Sequence, residues 1–194
     1  MNPSFVVHSV ETAPEASQPM LRKVEQTMGM VPNMLRVLAS SPAALEGYLT
    51  LSNVFGAKSG FGAVETHVIL QTINRANTCE YCLAAHAVIA VNKQRVPVEI
   101  DQLLRRGAQL PDSRLEALRV FTAAVVNKKG WLDHAQLDAF LFAGFGPADV
   151  LNVILAVAMK TISNYANHVA ETPLDDAFRT EFLKLNISPT KAAE

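Results

Sequence analysis

The sequence predicts an all-α domain, and three observations carry that prediction. Apolar residues recur every three to four positions through most of the chain, the period of a helix face. Proline, glycine and short polar residues fall between these stretches, where helices start and stop. Strand-like alternation of apolar and polar residues goes no further than Phe5 to Val7. Roughly eight helices are expected.

Residues 1–15, with Pro3 and Pro14, read as an irregular arm, residues 16–187 as one domain and residues 188–194 as a polar, flexible tail. Ser17 can cap a helix bearing Met20, Leu21, Val24 and Met28, ended by Gly29. A short helix follows Val31-Pro32, with Asn33 as its cap. Ser41-Pro42 opens the next, a serine cap followed by proline at the first helical position. Gly60 and Gly62 form a G-x-G, but Glu65 stands where a dinucleotide fingerprint needs its third glycine.

Val64, Val68, Ile69, Ile73 and Ala76 mark a helix, and Asn77 with Glu80 resembles a capping box that starts another near Thr78. That helix runs to about Asn92. Val98 to Arg106 forms one ended by Gly107, and Ser113 with Glu116 reads as the box opening a helix through Val125. Asp133 caps a helix closed by Gly144. Pro147 starts the longest, to about Val169, apolar on nearly every side and therefore central or buried between subunits.

At 194 residues with a net charge of −1, the chain fits one domain and offers no basic surface for nucleic acid. The longest apolar run, Val150 to Met159, is about half the roughly 20 residues a membrane span needs. The first residues lack a signal-peptide pattern, so a soluble cytoplasmic protein is expected. In such a reducing compartment a lone pair of cysteines points to catalysis or metal rather than to a structural disulfide.

The chemistry concentrates in residues 65–90. Cys79 and Cys82 are spaced C-x-x-C, and His86 follows the second by four residues. On a helix, two thiols and an imidazole converge on one face. Unpaired N–H groups at a helix start favour a thiolate, and His86 is placed to hydrogen-bond Cys82 directly or through a water. Such a thiolate can attack a peroxide O–O bond and become a sulfenic acid, which the second cysteine condenses to a disulfide. An external dithiol reopens it, and no metal or organic cofactor is needed.

Zinc is the competing reading, with His86 as third ligand. A closed site needs four ligands, and His8, His67, His134 and His168 are scattered singly, so no metal is expected. Covalent haem is excluded because Leu83, not histidine, follows Cys82. Asn164, Tyr165, Asn167 and His168 either line the cysteine pocket or tie helix ends together, the second being favoured. Tyr81 and Trp131 read as packing residues.

The stretch E-x13-C-E-Y-C-L-A-A-H-x3-A resembles the signature of the carboxymuconolactone decarboxylase / alkylhydroperoxidase D (AhpD)-like family. SSPAALEGYL at 40–49, RRGAQLPD at 105–112 and TISNYANHVAETPLD at 161–175 resemble segments of its peroxidase-related branch. The resemblance implies an all-helical fold, trimers or dimers of trimers, and thiol-dependent hydroperoxide reduction with a lipoyl- or thioredoxin-like dithiol reductant. It assigns Cys82 as the peroxidatic cysteine, Cys79 as the resolving one and His86 to a proton relay. The family's relay glutamate stands twelve residues before the first cysteine; here that slot is His67, and Glu65 stands fourteen before. Two positions turn a helix by about 200°, so either His67 takes the relay or Glu65 does so from another angle. Lactone chemistry of the decarboxylase type, or a redox-responsive binding protein without turnover, are the alternatives.

Overall fold

The structure is a computed structural model and describes residues 1–92 and 95–183. Ten α-helices and one 3-10 turn, Glu15–Ser17, make up its regular structure, with no strand among the described residues. They are α1 (Gln18–Met28), α2 (Asn33–Leu38), α3 (Pro42–Lys58), α4 (Ala63–Ala76), α5 (Glu80–Asn92), α6 (Val98–Arg106), α7 (Ser113–Asn127), α8 (His134–Phe142), α9 (Pro147–Ala170) and α10 (Asp176–Leu183). The all-α class matches the expectation, and the count exceeds it. α10 lies where no periodicity long enough to mark a helix is visible. The expected tail from residue 188 falls outside the described residues.

Several boundaries follow the expected chemistry. Ser41 accepts the Ala44 N–H at the start of α3, Asp133 and Gln136 form a reciprocal box on α8, and Gly107 ends α6 at φ +68°. Three caps differ. The Ser17 hydroxyl turns away from its own helix and donates to Ala39 O at 2.8 Å, tying α1 to the end of α2. α7 is capped by Asp112, one residue earlier than expected, whose carboxylate accepts from Leu115 N. Glu116 is thereby freed to take Leu110 N and Arg119. Asn77 closes α4 and donates to Asn164 Oδ1 at 2.9 Å, so it starts nothing.

α4 is the axis of the domain. It packs on α5, α6, α7 and α9, and all eight residues from His67 to Asn74 are buried. Two cores lie around it. One joins Phe55, Val68, Ile69, Leu118, Phe121, Phe140 and Phe145. The other joins Leu21, Val24, Leu35, Leu45 and Phe178 to Tyr81 and both cysteines. α9 turns one face inward and leaves Leu151, Ile154, Tyr165 and Val169 exposed. Among the described residues no single helix is long and apolar enough to cross a membrane.

Candidate active site

The chain leaves α4 through Asn77 and Thr78, the latter at φ +54°, and re-enters a helix at Glu80. Cys79 N donates back to Asn74 O, and Cys79 O accepts from Leu83 N at 2.9 Å. Cys79 is therefore the residue on which α5 starts, and Cys82 lies within the first turn, where N–H groups lack helical partners. Both cysteines are free thiols and both are buried.

The two sulfurs share one amide. Asn167 Nδ2 lies 3.3 Å from Cys82 Sγ and 3.8 Å from Cys79 Sγ. The Cys79 thiol also donates to Cys82. Burial by itself raises the Cys82 pKa, but the Cys79 hydrogen bond, the Lys160 charge and the Asn164 and Asn167 amides more than offset it, so its pKa falls below the ordinary thiol value. Cys79 moves the other way, because donating to Cys82 and being buried both keep its proton on. One thiolate and one thiol is the arrangement that nucleophilic sulfur chemistry with a resolving partner requires.

Lys160 supplies the positive charge. It is 1 % exposed, and the acidic groups acting on it are sulfur and phenol, namely Cys82, Tyr48 and Cys79, of which Cys82 is the one held ionised. Burial lowers its pKa, but those neighbours raise it by more, so the ammonium persists. Its Nζ lies 3.0 Å from His86 Nε2. An ammonium can only donate, so Nε2 accepts and the ring proton sits on Nδ1. Burial, then the Lys160 charge, then His67 push the His86 pKa well down, keeping the ring neutral. The imidazole expected against Cys82 thus bonds to the lysine that faces Cys82.

The remaining candidates separate. His67 is buried and donates from Nε2 to Asp101 Oδ1 at 3.0 Å. Asp101 also takes Gln71 Nε2 at 3.0 Å and Arg105 Nε at 2.8 Å. Burial pushes its pKa up, but these partners pull it below the usual carboxylate value. Glu65 instead sits at the start of α4, where it accepts Gly62 N at 2.9 Å and pairs with Arg114. It does not line the cavity at Cys82.

That cavity, about 680 Å³, brings together Cys82, His86, Lys160, Tyr48 and His67. Much of the rest of its wall is apolar and rich in methionine, including Met20, Met28, Met34 and Met159, while Lys23, Glu46 and Asn53 are among its exposed lining residues. A space of this size takes an organic molecule of moderate bulk. No group of three or more His, Cys, Asp or Glu side chains among the described residues is arranged to hold a metal ion.

Sequence reasoning missed Lys160 and Tyr48. A signal for Lys160 was present, since it is the one basic residue between Pro147 and Asn167 in an otherwise apolar helix. Asn164 and Asn167 face the thiols while Tyr165 and His168 stay exposed, so the four polar residues of α9 divide by face. Tyr81 packs edge-on against Phe178, and its hydroxyl joins Asp175 to Met34 N. Trp131, expected as a packing residue, is 86 % exposed.

No family model matches the chain, and no curated protein matches it. Solved structures do. The alkylhydroperoxidase AhpD core of a peroxidase-related protein from Ralstonia eutropha JMP134 is 22 % identical, with a TM-score of 0.77 over 94 % of this chain and 96 % of its own. A peroxidase-related protein from Silicibacter sp. TM1040 is 20 % identical, with a TM-score of 0.73 over 94 % and 97 %. The debrominase Bmp8, as a cysteine-to-alanine variant in complex with 2,3,4-tribromopyrrole, is 17 % identical, with a TM-score of 0.80 over 96 % and 99 %. The likeness spans nearly the full length on both sides, and the chain has the AhpD-like fold.

Proposed function

We propose that the protein is a thiol-dependent hydroperoxide reductase with Cys82 as nucleophile. The observation that carries this reading is the Cys82 sulfur, lying in the cavity wall beside a buried ammonium and hydrogen-bonded by its partner thiol. The Cys82 thiolate attacks the terminal peroxide oxygen, the O–O bond breaks, and the leaving alkoxide takes a proton to depart as alcohol. Lys160 is the nearest charged donor for that proton and is reprotonated from the cavity, with His86 Nε2 accepting from it and fixing its direction. The Cys79 thiol then attacks the sulfenic acid, releasing water and closing the disulfide. An external dithiol restores both thiols.

His67, held by Asp101, lines the same cavity and fits an accessory proton relay better than Glu65, which is committed to the start of α4. The apolar stripe on α9 supports a homo-oligomer, and sedimentation at micromolar concentration tests for it. Peroxide consumption with a dithiol reductant tests the main reading. Cys82→Ser abolishes turnover, whereas Cys79→Ser stops after one equivalent with a sulfenic acid that a dimedone adduct reveals. Full activity in both variants overturns the reading, and lactone decarboxylation that survives in the double serine variant points to that chemistry instead.

A second reading is reductive dehalogenation of an aromatic ring. Bmp8 shares the fold over nearly its whole length, and the cavity beside Cys82 is large enough for such a ring. The thiolate would take halogen as a sulfenyl halide, the ring would gain a proton, and Cys79 would displace halide to give the same disulfide. Bromide release from a bromopyrrole, measured beside peroxide consumption, distinguishes the two.

A further inference from the structure

Asp101, Gln71, Asn74 and Asn164 form a hydrogen-bonded line that starts on α6, crosses α4 and α9, and ends at Cys82 on α5. Each of these side chains is 0 % exposed. Gln71 Nε2 donates to Asp101 Oδ1 at 3.0 Å, Asn74 Nδ2 to Gln71 Oε1 at 2.9 Å, and Asn164 Nδ2 to Asn74 Oδ1 at 3.1 Å. Gln71 and Asn74 stand three apart on α4, so one helix face carries both. An amide nitrogen has two protons, and the second one of Asn164 reaches Cys82.

A side-chain amide can turn over, exchanging its NH2 for its oxygen with little change of shape. The far end of this line removes that freedom. Asp101 is held ionised by its partners, and the Leu83 carbonyl, 3.1 Å from the same Gln71 nitrogen, cannot donate either. Both Gln71 protons are thereby committed, so its oxygen has to face Asn74. Asn74 answers with its NH2 and turns its oxygen to α9. Asn164 must then present NH2 in its turn, and its remaining proton falls on the sulfur. Reversing any one of these amides sets two oxygens or two NH2 groups against each other in the interior, where water cannot satisfy them.

The neighbouring amides lack such a lock. Asn167 also donates to the sulfurs, but its Oδ1 is buried with no hydrogen-bond partner. Asn77, which donates to Asn164 Oδ1 at 2.9 Å, is half-buried, so water can serve it in either orientation.

We infer that Gln71 and Asn74 are positioning residues for the nucleophile: anchored on Asp101 and on Leu83 O, they keep the Asn164 NH2 turned toward the Cys82 sulfur. Neither touches a reacting atom. A donor already aimed at the sulfur stabilises negative charge there without reorienting each time the thiolate is regenerated. The inference deepens the hydroperoxide reading and takes from it only that Cys82 is the attacking sulfur.

The test titrates Cys82 by thiolate absorbance, a step that Cys82→Ser removes, and follows its alkylation by iodoacetamide with no peroxide present. The titrating and charged groups around Cys82 and Asp101 are Cys79 and His86 on α5, His67 on α4, Tyr48 on α3, Lys160 on α9 and Arg105 on α6. Toward α10 they are Glu181, paired with Arg105, and Asp175, bonded to Tyr81. All of them stay unchanged in the variants. Asn74→Leu, close in size, removes the acceptor that holds Asn164. It raises the Cys82 titration by about one pH unit and slows alkylation about tenfold on the acid side of that titration. Gln71→Met is the milder change, shifts the titration in the same direction by less, and carries the test should Asn74→Leu not fold. Asn164→Leu raises the titration at least as far as Asn74→Leu, and adding Asn74→Leu to it moves the titration no further, because one acts through the other. Thr72→Val, at a buried polar residue of α4 outside the line, leaves the titration in place. Absence of a low Cys82 step in the wild type overturns the attacking-sulfur reading and this inference with it. A normal wild-type step that neither Asn74→Leu nor Gln71→Met moves overturns the inference alone. Shifts that add in the double variant do the same.

Discussion

On one side of α4, Phe121 and Phe140 stack at 3.9 Å between centroids, and Phe140 stacks on Phe145 at 4.4 Å and 2°. On the other side, the Cys82 thiol, two tyrosines and several methionines border a cavity that has a lysine in its wall. The first core is dry and close-fitting, and its side chains have few rotamers to lose. The second contains open space and groups whose charges must be mutually satisfied. A domain of this size thus obtains its stability from one half and tolerates an expensive polar site in the other. Mutations in the two halves should separate folding from reactivity.

The sharpest separation comes from the reactive side. Cys82→Ser reduces peroxide consumption to background and keeps the fold, since the replacement is close in size, with the thermal midpoint lowered only by what buried Lys160 loses with its counter-charge. On the aromatic side, Phe140→Ala costs about 3–5 kcal/mol by denaturant titration, because it empties the middle of the stack. The Cys82 titration, read by thiolate absorbance, stays where it was. If Phe140→Ala instead shifts that titration, the two halves are not independent.

Lys160→Met tests the charge pairing within the reactive half. In the wild type the Cys82 thiolate is present above its lowered pKa, and activity is lost as pH falls through that value. Without the ammonium, burial outweighs the remaining hydrogen bonds and leaves the pKa higher. Only a few per cent is then thiolate at neutral pH, so activity falls at least about tenfold and recovers as pH rises. A profile unmoved by Lys160→Met removes the lysine from the mechanism. The smallest effect belongs to Glu65→Gln, which weakens an ion pair with half-exposed Arg114 and costs about 0–1 kcal/mol. Its peroxidase rate stays at the wild-type level; a large loss would restore Glu65 to the relay.

The fold was legible because helical period and stop signals are local. Ser41-Pro42, Asp133 with Gln136, and Gly107 act through bonds that span a few residues. Ser17 and Asn77 were misread because their side chains bond across 22 and 87 positions, to partners a local rule cannot see. The cysteine pair was legible from spacing alone, since three residues on one helix fix their neighbourhood. Lys160 was not, because it reaches His86 from a helix 74 residues further along the chain. His67 and Glu65 are two residues apart on the same helix, yet one turns to Asp101 in the interior and the other to Arg114 near solvent. Period identified α4; only packing decided which of its polar residues faced inward.

Lys160 has a further consequence for energetics. Its counter-ion exists only while Cys82 carries a negative charge, and joining the sulfurs takes that charge away. Each oxidation therefore leaves a buried cation without its counter-charge, and each reduction relieves it. The reduced form is favoured by that difference, so the disulfide should be a comparatively ready electron acceptor. Lys160→Met should shift the midpoint of a dithiol redox titration toward more negative potential.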